Sequence, residues 1–113
     1  MKSEPAPYVL DGHAVLAYLE AEAGAAQVKD VLARAEKQEA SVYLSVINFG
    51  ETIYITEREK GLTAAQSVIA AIDQLPITIV DAERKLTFAA AHLKATYPIS
   101  YADAFATALA QQH

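Results

Sequence analysis

The chain contains no cysteine, which excludes disulfide bridges, thiolate metal ligands and cysteine nucleophiles. It also lacks any uninterrupted apolar run of about 18 residues, the length a membrane-spanning helix needs. Its opening stretch, MKSEPAPYVLDG, has no long apolar segment of the signal-peptide kind, so the expected location is cytoplasmic. Nor is there an excess of basic residues. Nine Lys and Arg stand against 14 Asp and Glu, a formal charge of −5 that disfavours a passive nucleic-acid binder. Phosphodiester chemistry survives that exclusion, because a carboxylate-rich site is negative only until divalent cations fill it. No internal repeat or low-complexity linker divides the chain. At 113 residues, 53% hydrophobic and 20% charged, it is expected to fold as one domain, 1–113, around a single core.

Hydrophobic periodicity places the elements. After the polar lead-in SEPAP, YVLD is a short apolar run with a β-branched centre, expected as a buried strand ending at Asp11. Between Ala14 and Glu22, Val15, Leu16 and Leu19 have helical spacing; Gly24 breaks this helix and AAQVKDVLARAEKQ begins another. SVYLS is a second strand. VINFGETIYITEREKG reads as a helix bounded by Gly61, although Ile53, Tyr54 and Ile55 would also suit a strand. TAAQSVIAAIDQL is an amphipathic helix with Thr63 as its expected cap. ITIV, after Pro76, is the third strand. DAERKLTFAAAHLKATY follows with Asp81 as its cap, Pro98 ends it, and SYADAFATALAQQ is the last helix. The order β-α-α-β-α-α-β-α-α predicts an α/β protein, a three-layer α/β/α domain whose short parallel sheet is flanked by helices, with YVL at its centre.

Three acidic residues sit away from any solvated face. Asp11 directly follows an apolar strand, and in parallel α/β sheets ligands bind at the carboxyl ends of strands. Glu51 has Ile47 and Ile55 four residues to either side, on its own helix face. Asp103 lies among Ala102, Ala104, Phe105, Ala106 and Ala108. An unpaired charge entering a dehydrated site costs several kcal/mol, so such groups need a partner or a metal. Each has an ordinary alternative: Asp11 as a helix cap, Glu51 as a paired or partly exposed helix residue, Asp103 as a cap or a solvent-facing group. Converging on one crevice, the three would repel one another unless cations were bound. Hard oxygen donors of this kind suit Mg²⁺ or Mn²⁺, and the small residues beside Asp103 are expected to leave room for a hydrated ion and a phosphate.

The motifs YVLD with Asp11, LSVINFGE with Glu51, and ISYADAFATALA with Asp103 resemble, in order and spacing over nearly the whole chain, a PIN domain of the VapC toxin type. The last is the most specific: a serine, then an aspartate three residues on in an alanine-rich helix. The resemblance implies a Mg²⁺- or Mn²⁺-dependent endoribonuclease, the toxin of a toxin–antitoxin pair, dimeric and held inactive by a cognate antitoxin protein. It assigns Asp11, Glu51 and Asp103 the metal-binding and catalytic roles, with Ser45, Asn48, Ser100 and Thr107 as groups supporting them. The chain departs from the family pattern at Gly12 and His13, where a small hydroxyl residue usually follows the first aspartate. The family pattern also continues into a further strand and an aspartate in a Thr-Gly-Asp-like turn. The sequence reaches His113 before either, so the expected domain lacks that strand and its site is one carboxylate short. The other reading is a degenerate or truncated PIN fold that only binds protein or RNA.

Other residues read as ordinary. Asp81 also follows an apolar strand and rivals the metal site, but its place before AERK suits a cap. His13, His92 and His113 lack zinc-like spacing, and the six tyrosines are scattered rather than forming a base-stacking platform. Arg58, Lys60, Arg84, Lys85 and Lys94 are available to RNA phosphates or simply solvated. A phosphatase of the haloacid-dehalogenase type needs an acid where His13 stands, and a receiver domain needs one at Ser45, so both fail. Ile53, Tyr54, Ile69 and Leu75 exceed what one small core covers, which predicts a homodimer through the middle helices.

Overall fold

The computed structural model describes residues 4–113; Met1 to Ser3, including the first residue of the polar lead-in, lie outside the described residues. The elements run β1 (Ala6–Leu10), α1 (Gly12–Leu19), α2 (Ala25–Glu36), β2 (Ala40–Ser45), α3 (Val46–Lys60), α4 (Leu62–Asp73), β3 (Thr78–Val80), α5 (Arg84–Thr96) and α6 (Tyr101–Gln112). This is the order expected from periodicity. The ambiguous Ile53–Tyr54–Ile55 segment is helical, inside α3. Among the described residues no helix is long and apolar enough to cross a membrane.

The three strands form one parallel sheet in the order β1-β2-β3. Leu10 pairs with Leu44 and Leu44 with Ile79, so these three side chains share a face. On that face Leu10, Val42 and Leu44 pack with Val15 of α1, Val28 and Leu32 of α2, and Ile72 of α4. The opposite face carries Val9, Tyr43 and Val80 against Leu86 and Ala90 of α5 and Phe105 and Leu109 of α6. One sheet with helices on both faces is the expected α/β/α architecture.

The expected central strand is corrected. β2, not the YVL strand, lies in the middle, and β1 is an edge of the described sheet. β1 starts earlier than expected and takes in Pro7, which pairs in register with Ser41. Proline has no N–H to give to a second neighbour, which suits an edge. β2 is covered on both faces, with Ala40, Val42, Leu44 and Ser45 buried.

Two expected caps are also corrected. Thr63 does not cap α4; Gly61, at φ 94° and ψ 171°, both closes α3 and opens α4. Its N–H donates to the Glu57 carbonyl (2.8 Å) and its carbonyl accepts from the Ala65 N–H (3.1 Å), a two-way junction at a φ that suits glycine. Asp81 does not cap α5. Glu83 does, its carboxylate accepting from the N–H groups of Lys85 (3.0 Å) and Leu86 (2.5 Å). Ala82 packs on the α5–α6 core and its carbonyl accepts the Thr87 hydroxyl (3.2 Å), which holds residues 81–83 out of the helix. α1 likewise starts at Gly12 rather than Ala14.

Leu44 is 0% exposed in the central strand, while Phe88 on α5 is 60% exposed. Leu44→Ala is expected to cost about 2–5 kcal/mol of stability and Phe88→Ala within about 0.5 kcal/mol of nothing. Urea unfolding of both variants checks this; comparable losses would contradict the packing.

Candidate functional site

Because Leu10 and Leu44 are register partners, the chain leaves β1 and β2 side by side at Asp11 and Ser45. Both residues have extended backbones and both cap the helix they start. Asp11 Oδ1 accepts from the Ala14 N–H at 2.7 Å. Ser45 Oγ accepts from the Asn48 N–H (3.0 Å) and donates to Asn48 Oδ1 (2.5 Å). Asn48 is fully buried, and its Nδ2 crosses to the Ala102 carbonyl in the first turn of α6 at 3.0 Å. α6 is started by Ser100, whose Oγ accepts from the Asp103 N–H at 3.0 Å. The chain thus brings three helix N-terminal turns to one edge of the sheet. Partial positive charge at helix N-termini favours carboxylates there, and Asp11 and Asp103 both occupy such positions.

Glu51 lies one turn beyond Asn48, half-buried, with its carboxylate pressed against the backbone of Gly12. Burial pushes its carboxyl above the ordinary range. The negative charges of Asp103 and Asp11 push the same way, while the charge of His13 and a hydrogen bond from the Asn48 side chain oppose them. The structure therefore brings Glu51 within electrostatic reach of both other carboxylates.

Asp81 is exposed at the end of β3 and is not among the charges acting on Glu51. Thr107 is exposed on α6, His92 is exposed on α5, and His113 stacks on Tyr43 with ring centroids 4.0 Å apart. The basic residues are dispersed. Arg58 lies over Tyr54 (5.1 Å), Arg84 over Phe88 (5.0 Å), Lys60 pairs with Glu20 (3.0 Å), and Lys94 donates to the Ile99 carbonyl (2.7 Å). Two site features were not read from sequence: the contact between Gly12 and Glu51, and the bond from Asn48 to α6. A side-chain-free residue directly after a candidate acid is a signal for the first. An uncharged amide three residues before Glu51, on its own helix face, is one for the second.

The donor set suits a hard divalent cation in chemistry and charge, and the Gly12 cradle lets Glu51 reach in beside Asp11. Among the described residues, however, no group of three His, Cys, Asp or Glu side chains is placed to hold a metal ion. A bound ion would have to draw the carboxylates together.

The fold is that of an α/β protein with a parallel sheet, Asp11 at the carboxyl end of its first strand, and Glu51 and Asp103 in the early turns of α3 and α6. Residues 8–113 match the family model described as PIN domain, and the chain belongs to that family. No curated protein matches the sequence. The fold is similar to the crystal structure of Mycobacterium tuberculosis VapC20, described as a sarcin-ricin loop cleaving toxin. The TM-score is 0.70 at 18% identity, over 95% of this chain and 82% of that one. At that identity the likeness is one of fold.

Glu51 makes stability depend on pH. Its raised folded-state value means the folded protein holds the proton more tightly than the unfolded chain does. Its stabilising contribution is therefore full below the ordinary carboxylate value of 4.5 and is lost as pH rises through the raised value. Glu51→Gln is expected to melt at a higher temperature than wild type at pH 7, with the gap closing on acidification below 4.5. A gap that widens with acid would contradict the assignment.

Proposed function

We propose that this protein is a Mg²⁺- or Mn²⁺-dependent endoribonuclease of the PIN type, the toxin of a toxin–antitoxin pair acting in the cytoplasm. The observation that carries this reading is the placement of Asp11 at the end of β1, of Asp103 in the first turn of α6 and of Glu51 in α3 against Gly12, with Glu51 shifted chiefly by burial and further by the charges of Asp103 and Asp11. Membership of the PIN family and the likeness to a toxin fold support it. When bound, the ion supplies an activated water and offsets charge on the phosphate. Asp11, Glu51 and Asp103 would hold it. Mg²⁺ takes only one or two carboxylates directly and keeps several waters, so direct ligation by all three is not required. Ser45 and Asn48 fix where the helix bearing Glu51 starts, and Ser100 fixes where the helix bearing Asp103 starts.

RNA is the proposed substrate. Arg84 and Lys85 open α5 just beyond the carboxyl end of β3, on the edge where the acids lie, and both are exposed. A groove of about 300 Å³ between α1, α3 and α4, with Leu16, Leu19, Ala64 and Val68 in its lining and the Glu20–Lys60 pair beside them, offers a seat for an amphipathic segment of a cognate antitoxin. A homodimer through α3 and α4 would cover Tyr54, Leu62 and Ile69, which are 50%, 60% and 37% exposed. Ile53 and Leu75, expected on that face, are half-buried within the chain. Sedimentation at micromolar concentration should find a dimer, and Tyr54→Lys with Ile69→Lys should shift it to monomer. A wild-type protein that sediments only as monomer removes this assembly.

Asp103→Asn should abolish Mn²⁺-dependent RNA cleavage, because an amide is a poorer, uncharged ligand. It should leave the melting temperature of the metal-free protein unchanged or higher, since it relieves repulsion among clustered acids. Asp81→Asn should retain cleavage, and Glu83→Ala should lose only about 1 kcal/mol of helix-cap stability. Calorimetric titration with Mn²⁺ and cleavage of a mixed RNA substrate test the two aspartate variants, and thermal melts of the metal-free proteins read the stability of Asp103→Asn and Glu83→Ala. Loss of metal binding in Asp81→Asn, with Asp103→Asn unaffected, places the site elsewhere. No Mn²⁺ binding by the wild-type protein leaves the binding-module reading.

A further inference from the structure

Four glycines punctuate the chain, and only two of them need to be glycine for backbone reasons. Gly24 and Gly61 have φ of 94°, in the left-handed region. Gly12 and Gly50 do not, so any residue could adopt their backbone conformations. These two differ in what surrounds them. A Cβ placed on Gly50 would meet nothing within 4 Å. A Cβ placed on Gly12 would overlap Glu51 Oε1 and stand 3.2 Å from Glu51 Cδ and 3.5 Å from Cγ. Glycine at position 12 is thus explained by one side chain, the carboxylate of Glu51.

The placement has a geometric consequence. Gly12 is the first residue of α1 and directly follows Asp11, whose side chain caps the same turn. The volume a side chain at position 12 would fill is the volume the Glu51 carboxylate occupies, one residue along the chain from Asp11. Glu51 is the far end of a flexible side chain, so an added methyl would be relieved by swinging the carboxylate out rather than by moving backbone. The fold would survive and the convergence of acids would not.

We infer that Gly12 is a positioning residue of the acidic site, admitting the Glu51 carboxylate beside Asp11 and so setting how tightly the site holds a divalent cation. This deepens the nuclease reading and rests on it. Gly12 touches neither ion nor RNA; it acts through Glu51.

The test compares Gly12→Ala with Gly50→Ala, which alters a neighbouring glycine of α3 with open space around it. Mn²⁺ affinity, read by calorimetry on the full chain, should fall at least tenfold in Gly12→Ala and stay at the wild-type value in Gly50→Ala. A second readout needs no metal. In thermal melts of the metal-free protein, Gly12→Ala should be more favourable in a Glu51→Ala background than in wild type, because the methyl then displaces nothing. Wild-type Mn²⁺ affinity in Gly12→Ala, or purely additive melting temperatures, overturns the inference while the nuclease reading stands. Absence of Mn²⁺ binding by the unaltered protein overturns the nuclease reading, and the positioning role falls with it.

Discussion

The amide of Asn48 is the contact on which the site depends. It is fully buried, and a buried amide left unpaired costs about 1–3 kcal/mol. Here both ends are used: Oδ1 accepts the Ser45 hydroxyl and Nδ2 donates to the Ala102 carbonyl. Among the described residues no buried side-chain nitrogen or oxygen lacks a partner. A helix that packs through alanines has few features to stop it sliding. A directional bond from α3 to a main-chain carbonyl of α6 supplies a stop. Since Asn48 stands one turn before Glu51 and Ala102 immediately before Asp103, the same bond spaces the two carboxylates.

The three acids sit in unequal surroundings. Asp11 accepts a main-chain N–H at the start of α1, and Asp103 lies in the first turn of α6, so each faces the positive end of a helix. Glu51 sits in the second turn of α3, half-buried, and is the one whose carboxyl is displaced upward. The contrast dissolves an alternative open at the level of sequence. Capping a helix and serving in the proposed site are compatible roles for Asp11, because one carboxylate oxygen takes the cap and the other is left over.

Element order was legible because apolar spacing switches cleanly between strand-like and helix-like periods. The segment around Ile53, Tyr54 and Ile55 was ambiguous, having β-branched residues on consecutive positions. Its neighbours decide it: Thr52 and Thr56, one turn apart, are both buried and return their hydroxyls to the Asn48 and Thr52 carbonyls. Hydroxyls that satisfy themselves within the helix can enter the core without partners elsewhere. Strand position was harder to read. An apolar core of the kind in YVL suits a central or an edge strand, and the telling residue, Pro7, falls just outside that run. The cap of α5 falls at Glu83 rather than at the shorter Asp81, with Ala82 packed on the α5–α6 core between them, and that of α4 falls at Gly61, which has no side chain to mark it.

Asp103 and its small neighbours were expected to form a space for an ion, and the structure divides that expectation. Ala104 and Ala108 are 0% and 1% exposed, packed with Ala90 and Leu86 of α5. They bring two helices close together and leave no room for anything. Ala102 and Ala106, on the face that carries Asp103, are only half-buried. Ala102 gives its carbonyl to Asn48, and Ala106 lies one turn from Asp103 where a larger side chain would crowd the acid. The alanine run therefore has two causes on two faces of one helix. Close packing explains one face, and the proposed site would use the space on the other. A composition shared by both faces could not separate them; burial does.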